Sequence, residues 1–347
     1  MTIAKAIVII LMVVGHSGCP KELEKCIYSF HVPFFFVCSG FFFSPPLTFE
    51  KLKHFWLRKF KGLYFPYVKW CLPFVLLHNV FFRLNLYNGE YGYNGWGSHW
   101  YSATDFVHAI INVVLKMDYP PQLLGGFWFL KYLLIATLFV SFLTYILRHW
   151  REDNQQKMIV LGSLLGFSII FSYFEVSLLL FSLKDLLWCS VFYYSGYMLK
   201  GVEISKVKLI CCMVVFVSVN VWQDFPALLV VKGFIPMLQL YATSIAGALL
   251  VFQLSKWLDK HSLLVSPLYY VGNHTLEILA LHFLAFNIVD LCLIEKFQLS
   301  ISHLAEFPVM AGFPHYWMHY TVVGVTISLI ICWLYERLRA FFTFPTP

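Results

Sequence analysis

Apolar stretches of roughly a bilayer-spanning length alternate with short polar links along the whole chain. The pattern predicts about ten membrane helices, near 3–16, 27–43, 64–84, 127–147, 158–174, 183–199, 209–224, 233–254, 268–294 and 318–336. Turn-forming residues punctuate them: Pro45 and Pro46, Pro120 and Pro121 with Gly125 and Gly126, Ser266 and Pro267, and Pro314. Met1 to Val14 carry one charge, Lys5, and no small-residue cleavage site follows, so they read as the first membrane helix rather than a signal peptide. No internal repeat or low-complexity segment stands out, and residues 1–347 read as one all-α, polytopic integral-membrane domain with no soluble domain appended.

Charge sets the orientation. Alternate links hold fifteen Lys and Arg, in the groups Lys51 to Lys61, Arg148 to Lys157, Lys200 to Lys208, Lys256 with Lys260, and Arg337 with Arg339; the opposite links hold five. The richer set faces the cytoplasm and both termini lie there. The net charge of +7 is then mostly topology. The longest outward loop, about 85–126, is rich in Gly, Asn, Tyr and Trp and contains a candidate interfacial helix at Asp105 to Met117. Such a loop suits sugar stacking, and equally an interfacial aromatic belt.

Composition narrows the class further. Of 347 residues 60% are apolar and 12% charged, too few charges to cover a soluble fold of this size. That excludes a soluble enzyme, a nucleic-acid binder and a disordered chain. Seven of nine cysteines sit in apolar runs as small hydrophobes; Cys19 and Cys26 share a polar loop and could pair. No zinc or redox spacing occurs, and no metal is expected.

Against this background, ionisable groups inside the apolar runs are the candidate chemistry. Lys5 and His16 are eleven residues apart, within roughly 20° of one helix face and about 16 Å apart along the axis. Both would face one cavity, able to hold a long anionic ligand with its charged end in the cytoplasm and its reactive end at the histidine. Gly15, Gly18 and Pro20 break the helix at His16. His31 precedes Pro33 in the second run, and the ninth run contains His274, Glu277 and His282, with Glu277 three residues after His274 and within reach of pairing. Lys184 and Asp185 read as a solvated pair at an outer helix end, while Lys69, His78 and Asp290 read as snorkelling or hydrogen-bonded groups.

The order of these motifs resembles the acyltransferase-3 family of integral-membrane O-acyltransferases. The resemblance rests on Lys5 and His16, the run Ser29-Phe30-His31-Val32-Pro33 with Ser39-Gly40, and the link Arg58-Lys59 leading to Pro66-Tyr67. It continues through Phe127-Trp128-Phe129-Leu130 and the segment from Gly272 to His282. His274, Glu277 and Lys131 depart from the family pattern. The resemblance implies a ten-span bundle taking an acyl group, usually acetyl, from cytoplasmic acyl-CoA to a hydroxyl of an extracytoplasmic or lipid-linked glycan.

The residues agree with that expectation. A cytoplasmic ring of Lys and Arg suits CoA phosphates, and a histidine titrates near the working pH. The expected protein is a multi-pass bacterial inner-membrane O-acetyltransferase acting on a cell-surface polysaccharide or its lipid-linked precursor, with acetyl-CoA as donor and no nucleic-acid partner. Lys5, Arg58 and Lys59 would contact CoA phosphate or position the thioester. His16 would be general base or acyl-carrying nucleophile. His31 would orient His16 or polarise the thioester carbonyl. Ser39, Trp128, His274, Glu277 and His282 would line the cavity. The rival class is a secondary transporter or flippase using the same groups as a proton relay, against which stands the absence of a second copy of the opening motif. A glycan polymerase would carry more charge in the large outer loop.

Overall fold

A computed structural model describes residues 1–92, 98–118, 120–149, 154–174, 176–178, 181–222, 228–261, 263 and 265–342; Trp96 and Arg151 lie outside these. The described residues form fifteen α-helices and no β-strand. In chain order these are α1 (Thr2–His16), α2 (Lys21–Tyr28), α3 (His31–Phe41), α4 (Phe49–Lys59), α5 (Phe65–Leu76), α6 (His78–Arg83), α7 (Ala103–Ile111) and α8 (Trp128–Ile146). There follow α9 (Asn154–Phe171), α10 (Leu183–Met198), α11 (Lys206–Trp222), α12 (Phe234–His261), α13 (Val265–Asn273), α14 (Thr275–Phe297) and α15 (Trp317–Phe342). Four helical stretches, 122–149, 234–261, 275–297 and 314–341, are each long and apolar enough to cross a bilayer. With their apolar surfaces they make this an all-α membrane protein.

Among the described residues each predicted apolar run is mainly helical, but three are not single helices. The second breaks at Ser29 and Phe30, between α2 and α3. Pro33 lies in the first turn of α3, where its missing N–H costs nothing. The third breaks at Leu77, four residues after Pro73, and is entered through a π-helical turn, Phe60–Tyr64. The ninth breaks at His274, between α13 and α14. Hydropathy registers how apolar a run is and is blind to such interruptions, which are tolerated where protein surrounds the freed backbone. A helix is present in the segment expected to be interfacial: α7 with a π-helical extension, Asn112–Lys116. Ser102 caps it, and Asp105 returns a bond to the Ser102 backbone.

Contacts group the chain into two compact units. One comprises Lys25–Lys69 and Trp128–Lys256. Its centre is the pair α3 and α10, which meet backbone to backbone at two glycines. A Cβ on Gly40 would lie 1.8 Å from the Tyr193 carbonyl oxygen, and one on Gly196 would lie 2.0 Å from that of Val37. Small residues at a crossing let membrane helices pack this closely. Nearby, Ser244 of α12 donates to the Ser29 carbonyl at 2.8 Å, meeting a backbone group freed by the break before α3.

The second unit comprises Thr2–Glu24, Trp70–Phe127 and Trp257–Pro347. Here α1 packs against α13, α14 and α15. Gly272 abuts the Thr2 backbone so closely that a Cβ on it would lie 2.2 Å from the Thr2 carbonyl oxygen. Gly324 of α15 similarly receives the Phe286 ring. These contacts hold α1, and with it Lys5 and His16, within the second unit.

Candidate active site

The second unit gathers Lys5, His16, His274, Glu277 and His282. Helix α1 is unbroken from Thr2 to His16, so the spacing that places Lys5 and His16 on one face holds. Both side chains are half-buried. The helix stops directly after His16: Ser17 turns its N–H and its hydroxyl back to the Val14 carbonyl, and Gly18 takes φ +74°, a left-handed conformation that favours glycine. Thr321 of α15 donates to the Ser17 hydroxyl at 3.1 Å, anchoring the broken end.

At this end the His16 ring stacks on His282 of α14, with centroids 5.6 Å apart and planes 26° apart. Phe283 packs on both rings, at 5.1 Å from His16 and 3.9 Å from His282. His282 is fully buried. Its Nδ1–H donates to the Ile278 and Leu279 carbonyls, each at 3.0 Å, which leaves the lone pair on Nε2. The structure thus brings together two histidines that are 266 positions apart in the sequence.

His274 does not pair with Glu277 as its spacing suggested. It precedes the first turn of α14, with Nδ1 2.8 Å from the Tyr270 carbonyl and Nε2 3.1 Å from Glu336 Oε1 on α15. Both nitrogens face acceptors, which suits the doubly protonated ring. Tyr270 donates its hydroxyl to the other Glu336 oxygen at 3.2 Å. The i,i+3 rule applies inside a helix, and His274 is a break residue turned toward a third helix.

The first unit holds His31, Ser39, Arg58, Lys59 and Trp128. His31 is buried at the start of α3, donating from Nδ1 to the Ile27 carbonyl at 2.9 Å across the helix break. Half-buried Ser39 lies near the other end of that helix, beside the Gly40 contact. Helix α4 is amphipathic, burying Leu52 and Phe55, and Trp56 donates to Ser141 of α8 at 2.9 Å. Arg58 and Lys59 close its last turn, both against the Phe55 ring. Burial, then the neighbouring Arg58 charge, holds the Lys59 ammonium below its ordinary pKa. Trp128 begins α8, its ring 6.1 Å from Tyr132.

A model of the family described as an acyltransferase domain matches residues 1–337, running through both units. The chain belongs to the acyltransferase-3 family. No curated relative and no solved structure matches it. Membership makes this a membrane acyltransferase.

Sequence reasoning about this acyltransferase-3 member missed two polar arrangements and left the partner of a third unnamed. Lys184 and Asp185 are not solvated: both are buried, paired at 2.9 Å, and Lys184 also donates to the Leu229 carbonyl. Neighbouring chain encloses a helix start that hydropathy alone placed at a surface. Asp290, expected to snorkel or to hydrogen-bond, does the second: it accepts from the Tyr320 hydroxyl and faces the Asn287 amide at 3.4 Å. Glu336, the partner of His274, sits 62 residues further on at the end of the apolar run 318–336. No sequence signal couples such distant positions.

Proposed function

We propose that this protein transfers an acetyl group from cytoplasmic acetyl-CoA to a hydroxyl of a cell-surface or lipid-linked glycan, at the bacterial inner membrane, through a bundle of about ten spans with both termini in the cytoplasm. The observation that carries the proposal is the stacked pair of His16 and His282 at the broken end of α1, the helix that also bears Lys5. Family membership supports acyl transfer, and the Lys and Arg bias of the links supports a donor that arrives from the cytoplasm. Arg58 and Lys59 are assigned to the CoA phosphates, where charge-assisted bonds are strong. Lys5 positions the donor along α1.

In the direct route His16 takes the acceptor hydroxyl's proton as its oxygen attacks the thioester carbonyl. The C–O bond forms, the C–S bond breaks, and the proton passes to the CoA sulfur. In the two-step route a His16 nitrogen attacks the thioester carbonyl, the C–S bond breaks, and CoA leaves as the thiol with the proton that the ring gives up; the acceptor oxygen then attacks the acetyl carbonyl, the C–N bond breaks, and the hydroxyl proton returns to the His16 ring.

Purified protein in detergent tests this with radiolabelled acetyl-CoA and a glycan acceptor. The wild type should transfer label, and His16→Gln should lose roughly 10²-fold or more in rate while still binding acetyl-CoA. An active His16→Gln protein would remove His16 from the chemistry. Ion- or substrate-driven flux in proteoliposomes without label transfer would favour the transporter class.

A further inference from the structure

We infer that His282 is the positioning residue of His16: its Nε2 accepts a ring N–H of His16 and so fixes which His16 nitrogen keeps the lone pair. The inference rests on the reading of His16 as base or nucleophile. Both routes make the same demand on His16, namely one nitrogen with a free lone pair and the other holding a proton. A histidine left to itself exchanges between two tautomers, and only a partner on one nitrogen selects between them. In hydrolases of several folds a carboxylate takes this part.

Three observations assign the part to His282. First, its tautomer is locked, because Nδ1–H is shared between the Ile278 and Leu279 carbonyls. Second, Nε2 is buried, and among the described residues no protein group bonds to it. A buried acceptor without a donor is costly, so a bond made there during the reaction is favoured. Third, among the described residues the rings packed on His282 are Phe283, Phe286 and His16, of which only His16 carries a hydrogen-bond donor. The imidazole torsion is broad, so the His16 ring can turn out of the near-parallel stack and, with the centroids 5.6 Å apart, present an N–H edge to Nε2. His282 then acts through His16 and needs no contact with substrate.

Two substitutions divide the two halves of the His282 ring. His282→Asn keeps a donor at the Nδ1 position for the main-chain carbonyls and removes the Nε2 acceptor. His282→Gln places an amide oxygen near the Nε2 position. Both are made in the full chain, with thermal melting recorded for each. Positioning predicts that Asn lowers kcat roughly 10²-fold with KM for acetyl-CoA changed less than about twofold, and that Gln recovers about tenfold of the loss. A merely structural role predicts the reverse order, with Asn active and Gln impaired, and that result overturns the inference.

A second readout needs no activity. In protein labelled with 15N-histidine, with the His16 signals assigned by their loss in His16→Gln, the wild type should show one His16 tautomer and His282→Asn a mixture. The same single tautomer in both would overturn the inference. A wild type that shows the tautomer coupling but transfers no acetyl group would refute the proposed function and leave the positioning intact.

Discussion

Replacing Gly40 by Ala tests the packing that holds α3, the helix carrying His31 and Ser39. The new methyl carbon would begin 1.8 Å from the Tyr193 carbonyl oxygen and 2.8 Å from its carbon, against the 3.4 Å at which ordinary contact begins. Backbone, not a flexible side chain, stands in the way. The helices must therefore part by more than about 1 Å, and close-packed interiors do not absorb such a shift locally. Overpacking of this kind costs about 1–3 kcal/mol or more. The better helix propensity of alanine returns about 1 kcal/mol at most. Net loss should be seen as a lower melting temperature of the purified protein, with acyl transfer falling further than the folded fraction because α3 itself moves. Gly166, inside α9, is the control: nothing lies within 4 Å of a Cβ there, so Gly166→Ala should be neutral or stabilising. Equal melting of Gly40→Ala, Gly166→Ala and the wild type would refute the close-contact argument.

Three further outcomes follow from other parts of the molecule. Lys184→Met leaves Asp185 as a buried charge without its 2.9 Å partner and should destabilise by about 3–5 kcal/mol, while Lys184→Met with Asp185→Leu should recover much of the loss; equal melting of single and double variants would show the pair to be solvated after all. Arg58→Ala with Lys59→Ala should raise the KM for acetyl-CoA about a hundredfold or more with kcat little changed, each lost phosphate contact being worth about 1.5–3 kcal/mol, and an unchanged KM would reduce these cations to topology anchors. At the start of α7, the Ser102 hydroxyl and then its backbone N–H hold the Asp105 carboxyl below its ordinary pKa. A lowered carboxyl pKa stabilises above the unfolded value, near 3.9, and that support is lost as pH falls through the folded value. Ser102→Ala should therefore speed amide exchange in α7 at pH 6, with the difference from wild type narrowing below about pH 3.9 to what the neutral Ser102 cap on the Asp105 N–H contributes; a difference that is constant with pH would refute the linkage.

Much of the candidate site is visible in local spacing. An eleven-residue separation on an uninterrupted helix fixes the common face of Lys5 and His16, because helical periodicity is a property of the chain alone. The stop after His16 is written in Gly18 and Pro20, and the cap of α7 in Ser102 and Asp105. The Lys184–Asp185 pair misled for the opposite reason: a charge pair beside an apolar run looks solvated until the chain that covers it, here including Leu229, is in place.

The sequence by itself determined the all-α membrane class, the helical runs, the basic end of α4 and the family, since each rests on composition, periodicity or the order of short motifs. Only the tertiary structure decided which polar groups meet. The stack of His16 on His282, the capture of His274 by Glu336 and the bond of Asp290 to Tyr320 each join different helices. Which faces come together depends on helix crossings set by close contacts such as Gly272 on Thr2 and Gly324 on Phe286. A glycine in the sequence does not name its partner, because the fit belongs to two surfaces at once and neither is encoded in the other's local pattern.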